Sequence, residues 1–271
     1  MNGRYSQATQ QRNLILMTIS STPMKPFLFA VCRPEGTIAQ DEWNSFAAFG
    51  GLDPHSDIVR VSMVDASAPN PAELDLTGEY SGVVITGSPF GYSEVDAHGI
   101  PTVLEDRAEQ LAQRVITEDI PTLAICFGLQ AITRTLGGSL VGGFAEDLQA
   151  PAITLTEAAL SDPLTRHLEP VIYGYTGHSD AIGVLPGDAT VLATGEFCQI
   201  QMVRWGRNVY GTQFHPEIEK EGMHIRINTY SDTYYPADEK EAVIARCDAA
   251  DTTGANQIIS AFVSRYWKAR T

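Results

Sequence analysis

Basic side chains are scarce in this chain of 271 residues: 18 lysines and arginines face 33 aspartates and glutamates, a formal charge of −15. No basic cluster relieves that balance, so it disfavours nonspecific binding to nucleic acid or to an anionic membrane surface. Cysteine is also scarce. Cys32, Cys126, Cys198 and Cys247 are widely spaced and form no C-x-x-C pair, zinc pattern or disulfide framework, which fits a reduced cytoplasm. Apolar runs reach only strand length, so no membrane span is expected. There is no internal repeat, no phosphate-cradling glycine loop and no linker that splits the chain, and neither a cofactor nor a metal is expected.

Met1 to about Pro23 has little core character beyond Leu14–Met17, and its flanks do not make a signal peptide. It reads as an N-terminal extension, a disordered arm or a stretch ahead of a start at Met24. Residues 24–271 read as one catalytic domain with a helical C-terminal tail. Phe27–Cys32, Asp57–Val64, Tyr80–Thr86 and Thr122–Ile125 are apolar strand-like runs. Between them, Ala39–Phe49, with Trp43, Phe46 and Phe49 at helical spacing, and Leu104–Thr117 read as helices. This rhythm predicts an α/β fold: three layers, with a mostly parallel sheet between flanking helices. Beyond Gly137–Gly138, which reads as a helix-ending turn, shorter strand-like runs are expected, several of them antiparallel. A final strand, Val209–Phe214, leads to His215. Helical character returns at Ile218–Tyr230, a polar stretch follows, and Gln257–Trp267 closes the chain.

The chemistry gathers where strands end. Thr122–Ile125 stops at Cys126 and turns at once into a helical pattern, which lifts a thiol above the sheet edge at a helix N-terminus. Cysteine acts as a nucleophile through its thiolate, so it needs such a setting and a base. His215 is the base candidate, and Glu217 stands two residues beyond it to orient and polarise the imidazole. An acyl-transfer site also needs donors aimed at an oxyanion. The N–H of Phe127, directly after the cysteine, is one candidate and that of Ser88 the other. Gly87 is expected to permit unusual backbone geometry there, and Gly128 close packing at the elbow. Pro89 has no N–H to offer.

Together these motifs resemble the class I, triad-type glutamine amidotransferase family, and in particular the amidotransferase portion of guanylate (GMP) synthase. The resemblance runs from about Phe27 to Glu217. Its nucleophile elbow is similar to Cys126–Phe127–Gly128–Leu129–Gln130, its oxyanion loop to Thr86–Gly87–Ser88–Pro89, and its His-x-Glu ending to Gly211–Glu217. Gly177–His178–Ser179–Asp180 resembles a further histidine-x-aspartate segment. The family fold is flavodoxin-like. The resemblance implies that Cys126 forms a glutamyl thioester, His215 shuttles protons and Glu217 orients it, while the N–H groups of Ser88 and Phe127 hold the oxyanion. Gln130 either contacts the amino-acid end of glutamine or packs within the first helical turn. His178 and Asp180 either shape the substrate pocket or hold the loop near His215. His178 is also an alternative base.

The implied substrate is glutamine, with ammonia passed to a separate synthetase, since no synthetase signature lies in this chain. The same machinery suits a γ-glutamyl amide or isopeptide, with discrimination on the leaving-group side, where Phe90–Gly91–Tyr92 is expected to lie. A homologue that binds without turnover, or that a partner activates, is the third reading. Intact Cys126, His215 and Glu217 argue against silence. A homodimer is allowed, with no interface legible.

Overall fold

A computed structural model describes residues 24–92, 100–231 and 235–269. The expected N-terminal extension lies outside the described residues.

Chain order explains the architecture. Strands β1 (Phe27–Val31), β2 (Ile58–Ser62), β3 (Gly82–Ile85) and β4 (Thr122–Ile125) alternate with helices α1 (Thr37–Gly50) and α2 (Thr102–Thr117), and α3 (Phe127–Thr135) follows β4 directly. Next come β5 (Ser139–Val141), β6 (Glu146–Gln149), β7 (Ala152–Leu155), β8 (Val171–Tyr173), β9 (Thr176–His178), β10 (Ala181–Val184), β11 (Thr190–Gly195), β12 (Met202–Trp205) and β13 (Val209–Thr212). Helices α4 (Lys220–Thr229), α5 (Lys240–Asp248) and α6 (Thr253–Tyr266) complete the described strands and α-helices.

Nine strands form one sheet in the order β2-β1-β3-β4-β13-β12-β11-β7-β8. From β2 to β13 neighbouring strands are parallel, and from β13 to β8 they are antiparallel. The parallel half has the flavodoxin-like order, in which ligand sites lie beyond the strand C-termini. Every residue of β1, β3, β4 and β13 is buried, as strands covered on both faces must be. Alternation along β1 divides the core. Phe27, Phe29 and Val31 join Phe46 of α1 and Phe262 of α6 on one face. Leu28 and Ala30 join Leu104 and Leu111 of α2 on the other.

Phe46 shows the strength of that packing. It is fully buried, with its ring centroid 6.3 Å from that of Phe27 and 5.5 Å from that of Phe29. Phe46→Ala is expected to lower unfolding free energy by about 3–5 kcal/mol, because a cavity adds to the lost transfer term. Urea denaturation checks this, and a loss under about 1 kcal/mol would mean that the site collapses around the smaller side chain.

Two features depart from the sequence reading. The polar stretch after Tyr230 contains α5, which buries only Val243 and Cys247 against a small cluster with Leu148, Tyr175 and Tyr235. Two buried positions leave too faint an apolar stripe to read. The chain also leaves the main sheet after β8 ends at Tyr173, because β9 pairs with β6 in a separate two-stranded ladder. Gly137–Gly138 does end α3, donating to the carbonyls of Arg134 and Thr133.

Candidate active site

Cys126 stands at the C-terminal end of β4 with φ 49° and ψ −97°, one of two non-glycine residues at positive φ among those described. Such a conformation costs on the order of 1–3 kcal/mol and persists only where neighbours enforce it. Here they do. The Cys126 N–H donates to the Thr212 carbonyl at 2.7 Å, tying the elbow to β13, and the Cys126 carbonyl accepts from the Gln130 N–H at 3.1 Å. Gly128 permits the close approach expected of it, since a Cβ there would lie 2.8 Å from the Ile85 carbonyl oxygen. Helix α3 therefore starts pressed against β3, with its N-terminal dipole directed at the thiol.

The chain beyond β13 brings His215 to the same place. Its N–H donates to the Tyr175 carbonyl at 2.8 Å, and its Nδ1 lies 2.7 Å from Glu217 Oε1. All three side chains are buried. Burial by itself favours the neutral ring, but the Glu217 carboxylate and the Cys126 sulfur outweigh it and push His215 up to about 10. Burial likewise opposes charge on Glu217, yet His215 and Arg226 hold it below the usual carboxylate range. The His215 imidazole thus interacts with both the Cys126 sulfur and the Glu217 carboxylate and is biased towards its charged form.

Gly87 departs from expectation in its reason. Its φ is outside the left-handed region; what it supplies is room, because a Cβ would lie 2.8 Å from His215 Cε1. The loop after it is held from two sides. The Thr86 hydroxyl donates to the Gly87 carbonyl at 3.0 Å, and Ser88 Oγ accepts from the Phe90 N–H at 3.1 Å. Tyr92 then stacks flat on Phe127, with centroids 5.1 Å apart and planes 5° apart, and Arg134 covers its other face at 4.2 Å. That stack pins the Ser88 loop to the helix that follows the cysteine.

An open recess of about 340 Å³ has Cys126, Ser88, Phe90, Gln130, His178 and Asp180 among its lining. Gln130 Nε2 donates to the Asp180 carbonyl at 3.0 Å and to Gln213 Oε1 at 3.4 Å, and Gln213 Nε2 donates to Cys126 Sγ at 3.5 Å. Gln130 is thus a brace as well as a lining residue. Gln213 was missed by the sequence reading, although its place two residues before His215 in an extended run was a usable signal. His178 lines the recess too, and its Nε2 lies 2.9 Å from Glu146 Oε2.

Glu146 also accepts from Gln201 Nε2 at 2.9 Å. With Cys198, Glu146 and His178 place three donor atoms within 4.8 Å of one another. Protein groups pair much of that set, while the buried His178 Nδ1 has no hydrogen-bond partner among the described residues. The same Glu146 oxygen serves His178 and Gln201, and the Cys198 thiol donates to the Ile200 carbonyl at 3.6 Å. Burial and the Glu146 charge push Cys198 up to about 12. The cluster braces β6 and β9 beneath the recess.

A second recess, of about 370 Å³, opens at His215 and shares Ser88 and Gly177 with the first. Arg33 and Arg226 line it. Arg33 Nε donates to Glu42 Oε2 at 3.1 Å and its Nη1 to the Tyr230 hydroxyl at 3.2 Å, while Arg226 pairs with Asp41 at 2.7 Å and with Glu42 at 3.2 Å. No local sequence pattern announces this network, whose partners come from the β1–α1 region and from α4.

Comparison with known proteins gives the family. Residues 53–228 match the family model "Glutamine amidotransferase class-I", and the chain belongs to that family. YfeJ of Salmonella typhimurium, a glutamine amidotransferase-like protein, is 34 % identical over 166 residues, covering 60 % of this chain and 65 % of that one. A glutamine-hydrolysing GMP synthase of Salmonella arizonae is 27 % identical over 153 residues, 54 % of this chain but only 27 % of the synthase. The match therefore spans less than two thirds of each relative. A glutamine amidotransferase from Thermotoga maritima superposes with a TM-score of 0.66 at 18 % identity, covering 89 % of this chain and 98 % of that one, a likeness of fold.

Proposed function

We propose that this chain is a cysteine-dependent amidohydrolase that cleaves the side-chain amide of glutamine or of a γ-glutamyl compound through a thioester on Cys126. The observation that carries the reading is the joining of a strained Cys126 at the end of β4 to a charged His215–Glu217 pair at the end of β13. Cys126 passes its thiol proton to His215 as its sulfur attacks the γ-carbonyl carbon, and the developing oxyanion sits at the N–H groups of Phe127 and Ser88. His215 gives its proton to the leaving nitrogen as the C–N bond breaks. A water then donates a proton to His215, adds to the thioester carbon and expels the sulfur, releasing glutamate. Glu217 holds the ring in register throughout. Gln130, His178 and Asp180 bound the space for the glutamyl moiety.

The family and the match to GMP synthase support glutamine as a substrate and a separate synthetase as ammonia acceptor. Among the described residues no helix is long and apolar enough to cross a membrane, and all four cysteines are free, in keeping with the cytoplasm. Residues 24–271 act in this reading as one catalytic domain. The test is amine release: the purified chain liberates ammonia from glutamine or an amine from a γ-glutamyl amide, and failure on every γ-glutamyl compound contradicts the proposal.

Gly87→Ala supplies a sharper check. Its methyl group must displace the His215 ring, so kcat/KM is expected to fall about 100-fold, as small misplacements of a catalytic group do. Thermal stability should fall modestly, by about 1–3 kcal/mol, as crowding a packed site does. Wild-type kinetics from this variant would mean that His215 does not act where it stands.

A further inference from the structure

The two recesses meet at Ser88 and Gly177 but differ in chemistry. Cys126, Gln130, His178 and Asp180 belong to the first, whereas the second opens at His215. In thioester chemistry the acyl group stays with sulfur, and the departing amine leaves from the side of the acid that protonates it. On the amidohydrolase reading, on which this inference rests, the second recess is where the leaving group lies. Phe90 and Gly91 line the first recess, and Tyr92 stacks on Phe127, so the leaving-group wall expected of that segment falls to other residues.

Those residues are Arg33, Arg226 and Tyr230, with Leu148, Ile218 and Met223 supplying apolar wall. Both guanidiniums line the recess, while the carboxylates that balance them, Asp41 and Glu42, are outside its lining. Glu42 is fully buried. Arg33 spends its Nε–H and one N–H on each terminal nitrogen on Glu42 and Tyr230. A guanidinium has about five N–H donors, so donors remain for a further acceptor. Ammonia has no use for such a wall, being about the size of a water molecule, roughly 30 Å³. A cationic polyamine would meet guanidinium N–H donors there, while Asp41 and Glu42, which balance the two charges, lie outside the lining. A carboxylate would find its natural partner, since arginine recognises planar anions with paired N–H bonds.

We infer that the recess beside His215 is a leaving-group subsite for an amine that itself bears a carboxylate, which makes the favoured substrate a γ-glutamyl-linked amino acid. Cleavage needs no further reactant. The γ-carbonyl–nitrogen bond breaks, the amino acid leaves with the proton from His215, and water completes the turnover.

The test compares γ-glutamylalanine with γ-glutamylalaninamide, which lacks only the carboxylate charge, and with γ-glutamylputrescine and glutamine. The expected kcat/KM ratio of the first pair is roughly 10- to 100-fold in favour of the carboxylate, the worth of one charge-assisted hydrogen bond. The putrescine derivative should be slowest. Arg33→Met should collapse the ratio towards one. Arg33→Met also leaves the buried Glu42 without one of its partners, so the wild-type enzyme supplies a second readout that needs no variant. Alanine added during turnover should intercept the acyl-enzyme to give γ-glutamylalanine, and alaninamide should not. Equal use of alanine and alaninamide in both experiments, or preference for putrescine, overturns this inference and leaves the amidohydrolase reading standing. Absence of any acyl-enzyme with every compound overturns both.

Discussion

Cys126→Ala is expected to lower turnover of γ-glutamyl amides about 10⁴-fold or more, with binding largely kept. No neighbouring group can replace the sulfur. Cys32, Cys198 and Cys247 are buried thiols that burial holds protonated at neutral pH, pushed up to about 12, 12 and 11. The fold should survive, because the backbone of the elbow is fixed by the Thr212 carbonyl and by the packing of Gly128 on Ile85, neither of which uses the thiol. Stopped-flow or steady-state kinetics with a matched thermal melt separates the two effects. Substantial residual activity in a folded variant would remove the thioester from the mechanism.

Glu217→Gln is the second large effect. The carboxylate is the partner 2.7 Å from His215 Nδ1 that keeps this buried imidazole charged. An amide in its place still reaches the ring but no longer supports the positive charge, and kcat should fall about 10³- to 10⁴-fold. Burial, now unopposed by Glu217, should move the alkaline limb of the pH–rate profile to lower pH. Stability carries a matching signature. The folded value of His215, about 10, is above its ordinary 6.5, so its contribution is complete below about pH 6.5 and lost as pH rises through 10. Glu217 is shifted the other way from 4.5, so its contribution is present above that value and lost on acidification. Thermal melts should therefore show wild-type stability declining between about pH 6.5 and 10 and a flatter profile for Glu217→Gln. Identical profiles would mean that the pair is not the ionic couple described.

What could be read from the sequence was local. Continuous apolar runs mark β1, β3 and β4 because a strand buried on both faces needs no polar alternation. The elbow at Cys126 shows as an abrupt change of period, and His215 with Glu217 lie close enough in sequence to be paired on sight. The groups that were missed are separated in sequence. Arg33 meets Tyr230 across 197 positions and Arg226 meets Asp41 across 185. Glu146 and Gln201 converge beside His178, which the sequence did single out, from two other segments. Each is a buried polar group that reads as an ordinary surface charge until the fold supplies its partner. The role of Gly87 was misjudged for a related reason, since the His215 ring that crowds it comes from the far end of the parallel half.

The most direct measurement is intact-protein mass spectrometry of the wild-type chain, quenched during turnover of a γ-glutamyl substrate, followed by peptide mapping of any adduct. The account predicts one glutamyl group, lost on hydroxylamine treatment as a thioester is and mapped to Cys126. Amine release with no adduct, or an adduct on another residue, would contradict it.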